Sequence, residues 1–230
     1  MYHNTIGKYL NKKNKNKKII FYVDKKKKIK KYSYLEIDLM VKNFENYLRN
    51  FKNLKRVMVH TSASVYSAVI MLGLAKNKVH FSVIFEDLEV EAIDNRIKLF
   101  KPDLFISSSS EKLNKILNNK IKKTTIDKIF IKKNKIFIPK KKTKNTNKNF
   151  FTLFTSGSTG EPKGITHGYN GYFFYSAYTC KKQFGINKNS FVLTASDAGW
   201  INGHTYALFG PLSLGAKTLL IENNMDLLDL

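Results

Sequence analysis

The feature that most constrains the fold of this chain is an alternation of short β-branched or aromatic runs with longer amphipathic segments. The short runs predict strands, at 56–60, 79–85, 103–108 and 128–133. The longer segments predict helices at 88–100 and 110–120, and the segment at 64–76 predicts a buried helix rich in small residues. Strands and helices that alternate at these lengths favour an α/β fold with mostly parallel sheets and covering helices.

Further elements extend this pattern in both directions. A strand at 17–24 precedes a hairpin-like turn and a helix at 33–51. Ser33 and Glu36 have the spacing of a capping box, so Ser33 is predicted to cap that helix. A strand at 150–156 runs directly into a glycine-rich loop, and the last predicted strand covers 217–222.

The charge of the chain is extreme, with a formal net value of +24. Only three of its 41 basic residues are arginines, and asparagine and isoleucine are also abundant, which indicates a coding bias at tolerant surface positions. The lysine runs lie between apolar segments, at 11–18, 25–31 and 140–149, where loops are expected. Because nucleic-acid sites more often mix arginine and aromatic residues with lysine, no specific nucleic-acid partner is expected. A basic nucleic-acid-binding module remains the weakest alternative.

Cysteine content and hydropathy limit the cellular setting. Cys180 is the only cysteine, which excludes a disulfide framework and a thiolate metal cluster within this sequence. The first residues show no apolar core of a secretory signal, and no apolar run reaches transmembrane length. These observations predict a protein of the reducing cytoplasm without a membrane partner.

The glycine-rich loop, FTSGSTGEPKG at 154–164, has the composition of a phosphate-binding loop. Glycines let backbone N–H groups turn toward a ligand, hydroxyls add donors, and Lys163 adds a positive charge. The Walker A pattern is excluded because Pro162 stands where its second glycine is required, and an extended segment follows. The dinucleotide-binding G-x-G-x-x-G pattern is also missing from this loop.

The stretch T-S-G-S-T-G-x-P-K-G, from Thr155 to Gly164, resembles the phosphate-binding signature of the adenylate-forming superfamily. That superfamily comprises acyl-CoA synthetases, luciferases and peptide-synthetase adenylation domains. The stretch D-x-G-W-x-x-G-H-x-Y within 196–222, followed by G-P-L-x-x-G-A, resembles its acetyl- and propionyl-CoA synthetase branch. Segments 4–10, 79–85 and 96–108 resemble the same branch, so the resemblance covers nearly the whole chain.

The resemblance implies that residues 1–230 form the first part of the large N-terminal, AMP-binding domain of such an enzyme. Residues 1–149 would be its first α/β portion with lysine-rich loops, and 150–230 its phosphate-loop and acyl-pocket portion. The adenine and ribose motifs, the C-terminal domain and its catalytic lysine are not in the sequence. The chain is therefore expected to be a fragment that is inactive alone and whose partner is the missing remainder; a non-catalytic remnant is the alternative.

The family's reaction implies the ligands. A carboxylate attacks the α-phosphate of ATP, giving acyl-AMP and pyrophosphate, and coenzyme A then displaces AMP. The expected ligands are ATP with Mg²⁺, coenzyme A and a short-chain acid such as acetate or propionate. The residues implied for the nucleotide phosphates are Thr155, Ser156, Gly157, Ser158, Thr159, Gly160 and Lys163. Those implied for the acyl and coenzyme A pocket are Trp200, Ile201, Asn202, Gly203 and His204.

Several of these positions keep a structural alternative. A lone tryptophan such as Trp200 is often a core residue, and His204 fits a core or helix-capping role equally well. His167 is expected to have an orienting or a structural role, and Asp197 is expected only to cap a helix or form a turn. Asn202 stands where the branch usually carries threonine, which leaves the identity of the acid open. Lys133 stands near the position where the branch carries an arginine that contacts the coenzyme A phosphate. No catalytic residue and no metal ligand can be assigned from the sequence.

Overall fold

The computed structural model describes residues 2–116, 121–130, 148–156 and 161–222. Within them the strands are β1 (Lys18–Val23), β2 (Ile29–Ser33), β3 (Arg56–His60), β4 (His80–Ile84), β5 (Leu104–Ser107), β6 (Lys122–Thr125), β7 (Asn149–Thr155), β8 (Lys163–Gly168), β9 (Phe191–Leu193) and β10 (Lys217–Ile221). The helices are α1 (Tyr2–Thr5), α2 (Tyr34–Leu48), α3 (Val65–Lys76), α4 (Val90–Phe100), α5 (Ser110–Lys115), α6 (Ile126–Phe130), α7 (Tyr169–Lys182), α8 (Ile201–His204) and α9 (Gly210–Leu214). A 3-10 turn covers Gly7–Tyr9, and a π-helical turn covers Thr205–Phe209.

The larger sheet has the strand order β6-β5-β3-β4-β7-β8. Every pair in it is parallel except β7–β8, which forms an antiparallel hairpin. Helices α3, α4 and α5 connect its consecutive parallel strands along the chain. The predicted α/β fold with mostly parallel sheets is therefore confirmed, and the carboxyl ends of β3, β4, β5 and β7 meet at one edge.

The smaller sheet has the strand order β2-β1-β10-β9. The hairpin predicted after the first strand pairs β1 with β2, while β10 and β9 run parallel to β1. β10 joins this sheet from a distant part of the chain, with Ile20 opposite Thr218 and Tyr22 opposite Leu220. The portions 1–149 and 150–230 thus both contribute strands to each sheet.

Helix α3 lies at the centre of the core. Its residues from Val65 to Ala75 are almost all buried, which matches the prediction of a buried helix rich in small residues. One hydrophobic cluster joins α2 and α3 with side chains of both sheets. The Ser33 capping box is also confirmed, since Ser33 Oγ accepts from the Glu36 N–H at 3.2 Å and the Glu36 carboxylate accepts from the Ser33 N–H at 2.6 Å.

The strand predicted at 128–133 is wrong. The structure has β6 at Lys122–Thr125, paired with β5, and helix α6 at Ile126–Phe130. Ile126 and Ile129 are spaced by one helical turn and are both buried, and Thr125 Oγ1 accepts from the Lys128 N–H at 3.3 Å, so Thr125 caps the helix. The helix predicted at 110–120 is observed at Ser110–Lys115. Residues 117–120 and 131–133 lie outside the described residues.

Within the described ranges, none of the helices combines the length and the apolar character needed to cross a membrane.

Two glycines in helices provide a test of this core. Gly73 of α3 faces the buried ring of Phe44, and a Cβ there would lie 2.5 Å from Phe44 Cδ1. Alanine ordinarily stabilises a helix by about 1 kcal/mol relative to glycine, but overpacking a core costs about 1–3 kcal/mol. We expect Gly73→Ala to lower the free energy of unfolding, as measured by urea denaturation.

The control is Gly171→Ala in α7, where, apart from the adjacent residues and the nearby backbone of the helix, no described atom lies within 4 Å of the added methyl group. This variant should raise the free energy of unfolding by up to about 1 kcal/mol. If both substitutions change the free energy of unfolding in the same direction, the close packing of α3 against Phe44 does not restrict the size of the residue at position 73.

Candidate functional site

The glycine-rich loop connects β7 to β8, so its setting is strand–loop–strand, as predicted from the extended segment after Lys163. Thr155 lies directly opposite Lys163 in the hairpin, and both side chains are exposed at the mouth of the loop. The Thr155 hydroxyl reaches the Lys163 carbonyl at 3.5 Å. Ser156 follows β7 and is exposed, whereas Gly157, Ser158, Thr159 and Gly160 lie outside the described residues.

The hairpin register explains why a threonine and a lysine eight positions apart meet at this place. β7 is anchored by an unbroken buried run from Phe150 to Phe154, and β8 pairs with it along its whole length. The ends of the loop are therefore held by a core strand. Among the described residues, no ion pair involves Lys163, and the residue is exposed.

The loop lies at the carboxyl edge of the larger sheet. β4 and β7 are parallel neighbours, with Phe81 opposite Phe151. Phe85, which follows β4, and Thr155, at the end of β7, therefore lie at the same edge. Ligands of open α/β sheets generally bind outside the carboxyl ends of the strands, so this placement suits a binding site.

The Trp200 segment lies at the same edge. Asp197 forms the turn before α8: its carboxylate accepts from the Gly199 N–H at 2.7 Å, and its carbonyl accepts from the Trp200 N–H at 3.1 Å. The indole of Trp200 packs 5.0 Å from the Phe85 ring, yet 55% of the residue is exposed. Within the described residues Trp200 is therefore not part of the core, and Asp197 forms the turn before α8.

The five residues of the predicted acyl pocket divide into two groups. Trp200, Ile201 and Asn202 are exposed at the start of α8. Gly203 is buried, and a Cβ at this position would overlap the carbonyl oxygen of Asp197. A glycine is therefore required at position 203, because the backbone of Asp197 approaches it closely. Gly203 and His204 are buried beneath the three exposed residues.

His204 is completely buried among aromatic rings. Its ring centroid lies 4.6 Å from Phe151 and 5.9 Å from Phe81. Nε2–H donates to the Ala198 carbonyl at 2.9 Å, which places the proton on Nε2, and within the described part of the chain Nδ1 has no hydrogen-bond partner. Burial lowers the pKa of His204 to about 3. The structure therefore places His204 as a neutral core residue, which agrees with the core role and not with the helix-capping role.

The two motif segments, 154–172 and 196–216, meet through one aromatic cluster. Phe151 contacts Tyr172, with ring centroids 4.7 Å apart, and His167, at 4.8 Å. The Tyr172 and Thr205 hydroxyls are hydrogen-bonded at 2.6 Å. His167 is half-buried, and burial lowers its pKa.

A polar cluster at the same edge was not predicted. His60 ends β3, Glu86 follows β4, and Ser108 follows β5. The Ser108 hydroxyl donates to the Glu86 carboxylate at 2.8 Å, His60 Nε2–H donates to the Glu86 carbonyl at 3.0 Å, and Lys112 Nζ donates to that carbonyl at 2.8 Å. The available sequence signal was their shared position directly after buried parallel strands.

The charge state of this cluster follows from its contacts. Burial would raise the pKa of Glu86, but hydrogen bonds from Ser108 and Ser62 outweigh it and lower that pKa. Burial lowers the pKa of His60 to about 4. In the part of the chain that the structure describes, no group of three or more His, Cys, Asp or Glu residues is placed to hold a metal ion.

The family model described as "AMP-binding enzyme" matches residues 10–230. The chain belongs to the AMP-binding enzyme family. Among curated members with similar sequences, acetyl-coenzyme A synthetase from Helicobacter pylori (strain P12) is 28% identical over 97% of this chain and 39% of its own length. Acetyl-coenzyme A synthetase 2 from Debaryomyces hansenii is 51% identical over 78 residues, which are 34% of this chain and 12% of that protein.

A solved structure of an acyl-CoA synthetase from Brucella canis supports the fold. It superposes with a TM-score of 0.78 at 17% identity, over 97% of this chain and 43% of that one. This member of the AMP-binding enzyme family therefore spans about two fifths of the Helicobacter relative and of the Brucella structure.

The buried histidines predict a pH dependence of stability. Burial lowers the pKa of His204 to about 3 and those of His60 and His80 to about 4, from 6.5. Below pH 6.5 the unfolded chain therefore binds more protons than the folded one, so stability falls as the pH decreases from about 7 to about 5. Each histidine contributes up to about 1.4 kcal/mol per pH unit.

The variant His204→Gln keeps a donor for the Ala198 carbonyl but does not titrate. Urea denaturation at about pH 7, 6 and 5 should give a smaller pH slope for this variant than for the unmodified chain. An unchanged slope would show that His204 does not remain neutral in the folded state.

Proposed function

We propose that this chain forms the N-terminal part of an ATP-dependent acid–CoA ligase that acts on a short carboxylic acid through an acyl-AMP intermediate. The observation that carries the proposal is the pairing of Thr155 with Lys163 at the mouth of the glycine-rich loop, on the carboxyl edge of the larger sheet. Membership of the AMP-binding enzyme family and the similarity to acetyl-coenzyme A synthetases support the same reaction class.

The proposed role of the loop is to bind the phosphates of ATP. The hydroxyls of Thr155 and Ser156 and the ammonium group of Lys163 are exposed and can reach an anionic ligand. We expect Gly157, Ser158, Thr159 and Gly160 to add backbone and hydroxyl donors. Donors fixed before the reaction stabilise negative charge that develops on a leaving pyrophosphate, because they need no reorganisation at that moment.

Magnesium ordinarily accompanies nucleotide phosphates and takes one or two carboxylate ligands. Among the described residues no group of three or more His, Cys, Asp or Glu residues is placed to hold a metal ion, and the proposal assigns no magnesium ligand in this chain. The charge neutralisation that the proposal assigns to this chain comes from Lys163 and the loop donors.

Trp200, Ile201 and Asn202 are proposed to contact the acyl group and coenzyme A. An exposed indole held against Phe85 presents a flat apolar surface, which suits a short acyl chain, and Asn202 adds a polar amide. We propose that Gly203 and His204 do not contact the ligand and instead fix the turn that exposes these three side chains. Because one methylene changes selectivity only by roughly 10–200-fold, acetate and propionate are both candidate substrates.

The proposal includes a second polypeptide portion. Since the chain spans about two fifths of the Helicobacter relative, we propose that the remaining family elements complete the site and that residues 1–230 alone are inactive. The product of the complete reading frame that contains residues 1–230 is the protein in which activity should be measured.

Lys163→Met tests the role of the loop. Acetate- or propionate-dependent ATP–pyrophosphate exchange by the complete product should fall roughly 100–1,000-fold, the usual effect of removing one fixed donor to a transition-state charge. Lys163→Arg should retain more activity than Lys163→Met because it keeps the charge.

The matched control is Lys188→Met, at an exposed lysine outside the site. It should leave exchange unchanged. Equal losses of exchange in the Lys163 and Lys188 variants would show that the loop has no specific role in the reaction. A lack of exchange with any short acid would favour a non-catalytic remnant.

A further inference from the structure

The loop that joins β4 to α4, residues 85–89, carries the aromatic ring on which Trp200 packs. The ring centroids of Phe85 and Trp200 are 5.0 Å apart. The Phe85 ring also packs against the backbone of Gly199, where an added Cβ would lie 2.7 Å from Phe85 Cδ1 and Cε1. The position of the exposed indole therefore depends on the position of Phe85.

Glu86, which follows Phe85, accepts hydrogen bonds from parts of the chain that are distant in sequence. Its carbonyl oxygen accepts from Lys112 Nζ at 2.8 Å and from His60 Nε2–H at 3.0 Å. Its carboxylate accepts from the Ser108 hydroxyl at 2.8 Å. Because these donors belong to β3, to the residue after β5 and to α5, they fix the loop against the larger sheet.

Lys112 contacts this loop at two points. Its ammonium group donates to the Glu86 carbonyl and also to the Leu88 carbonyl, at 2.9 Å. The backbone of Lys112 is itself held at the start of α5, where its N–H donates to Ser109 Oγ at 3.2 Å. Hydrogen bonds from a charged donor are roughly twice as strong as neutral ones, so the ammonium group is well suited to hold the loop.

We propose that Lys112 is a positioning residue of the acyl pocket. It does not contact the acid; it fixes the loop at 85–89 so that Phe85 supports the indole of Trp200. The path of contacts leads from the ammonium group through the loop carbonyls to the two rings. This inference rests on the proposed function, because it takes Trp200 to line the site of a short acid.

A positioning role and a purely structural role predict different results. A residue that only stabilises the fold changes the fraction of folded molecules and leaves each folded molecule as it was. A positioning residue changes the folded molecules themselves, here the shielding of the Trp200 indole and the affinity for the acid. Both quantities can be measured separately from the amount of folded protein.

Trp200 is the only tryptophan of the 230 residues, so the tryptophan fluorescence of this chain reports on the contact with Phe85. In residues 1–230, Lys112→Met should increase the quenching of that fluorescence by acrylamide, because the Phe85 ring shields the indole less. The increase should stay below twofold, since 55% of the residue is already exposed. Lys112→Arg keeps a charged donor and should change the quenching less than Lys112→Met.

Lys115→Met is the matched control. Lys115 belongs to the same helix, but its Nζ lies 2.6 Å from Glu111 Oε1, an ion pair that does not involve the loop at 85–89. This variant should leave the quenching of Trp200 unchanged. Unchanged quenching in Lys112→Met, or equal changes in the Lys112 and Lys115 variants, would overturn the proposal.

ATP–pyrophosphate exchange by the product of the complete reading frame tests the consequence for the site. Lys112→Met should raise the KM for acetate or propionate on the order of 10-fold and change kcat by less than about twofold, because the acid is misplaced while Lys163 is untouched. The assay contains no coenzyme A, so a direct contact between Lys112 and coenzyme A would not alter it. A lower kcat at an unchanged KM would indicate loss of folded enzyme and contradict the positioning role.

A double-mutant cycle tests whether Lys112 acts through Phe85. Phe85→Ala removes the supporting ring and should itself raise both the quenching and the KM. In that background Lys112→Met should raise neither any further, because the two residues act along one path. Additive effects would show that Lys112 reaches the site by another route, and the proposal would be wrong.

Ser108→Ala keeps the proposal testable if Lys112→Met does not fold. It removes the donor to the Glu86 carboxylate but leaves α5 and its ammonium group in place. The quenching of Trp200 and the KM for the acid should both rise, by less than in Lys112→Met. If neither responds to Ser108→Ala or to Lys112→Met, the contacts of Glu86 do not position Trp200.

The two measurements separate this inference from the proposed function. If Lys112→Met increases the quenching of Trp200 but no short acid supports ATP–pyrophosphate exchange, the proposed function is wrong and Lys112 still positions the indole. If exchange is observed and neither the KM nor the quenching responds to Lys112→Met, only the positioning role is wrong.

Discussion

The candidate site depends on the packing of Phe81, Phe151 and His204. Phe81 and Phe151 lie opposite each other on adjacent parallel strands, and the ring of His204 packs on both. This contact brings the carboxyl ends of β4 and β7 to one edge and holds the turn before α8 in front of them. The glycine-rich loop and Trp200 share that edge because their supporting strands are fixed in the core, whereas the residues that would meet a ligand are exposed.

Burial and charge are separated in this protein. The chain carries a formal net charge of +24, yet the buried histidines His60, His80 and His204 have lowered pKa values and remain neutral at pH 7. No lysine or arginine among the described residues is buried, so their positive charge lies on the outside, where it attracts anions over a distance. ATP and coenzyme A are both anionic, so the lysine bias is compatible with the proposed reaction without indicating a nucleic-acid partner.

The sequence alone determined the features that depend on local pattern. Hydrophobic periodicity located most strands and helices, the Ser33–Glu36 spacing identified a capping box, and the loop composition together with the extended segment after it indicated strand–loop–strand. Tertiary structure decided what depends on distant partners. Residues 122–130 became a strand and a helix through pairing with β5 and burial of Ile126 and Ile129. β10 inserted between β1 and β9, and packing exposed Trp200 while burying His204, because long-range contacts leave no local periodic signal.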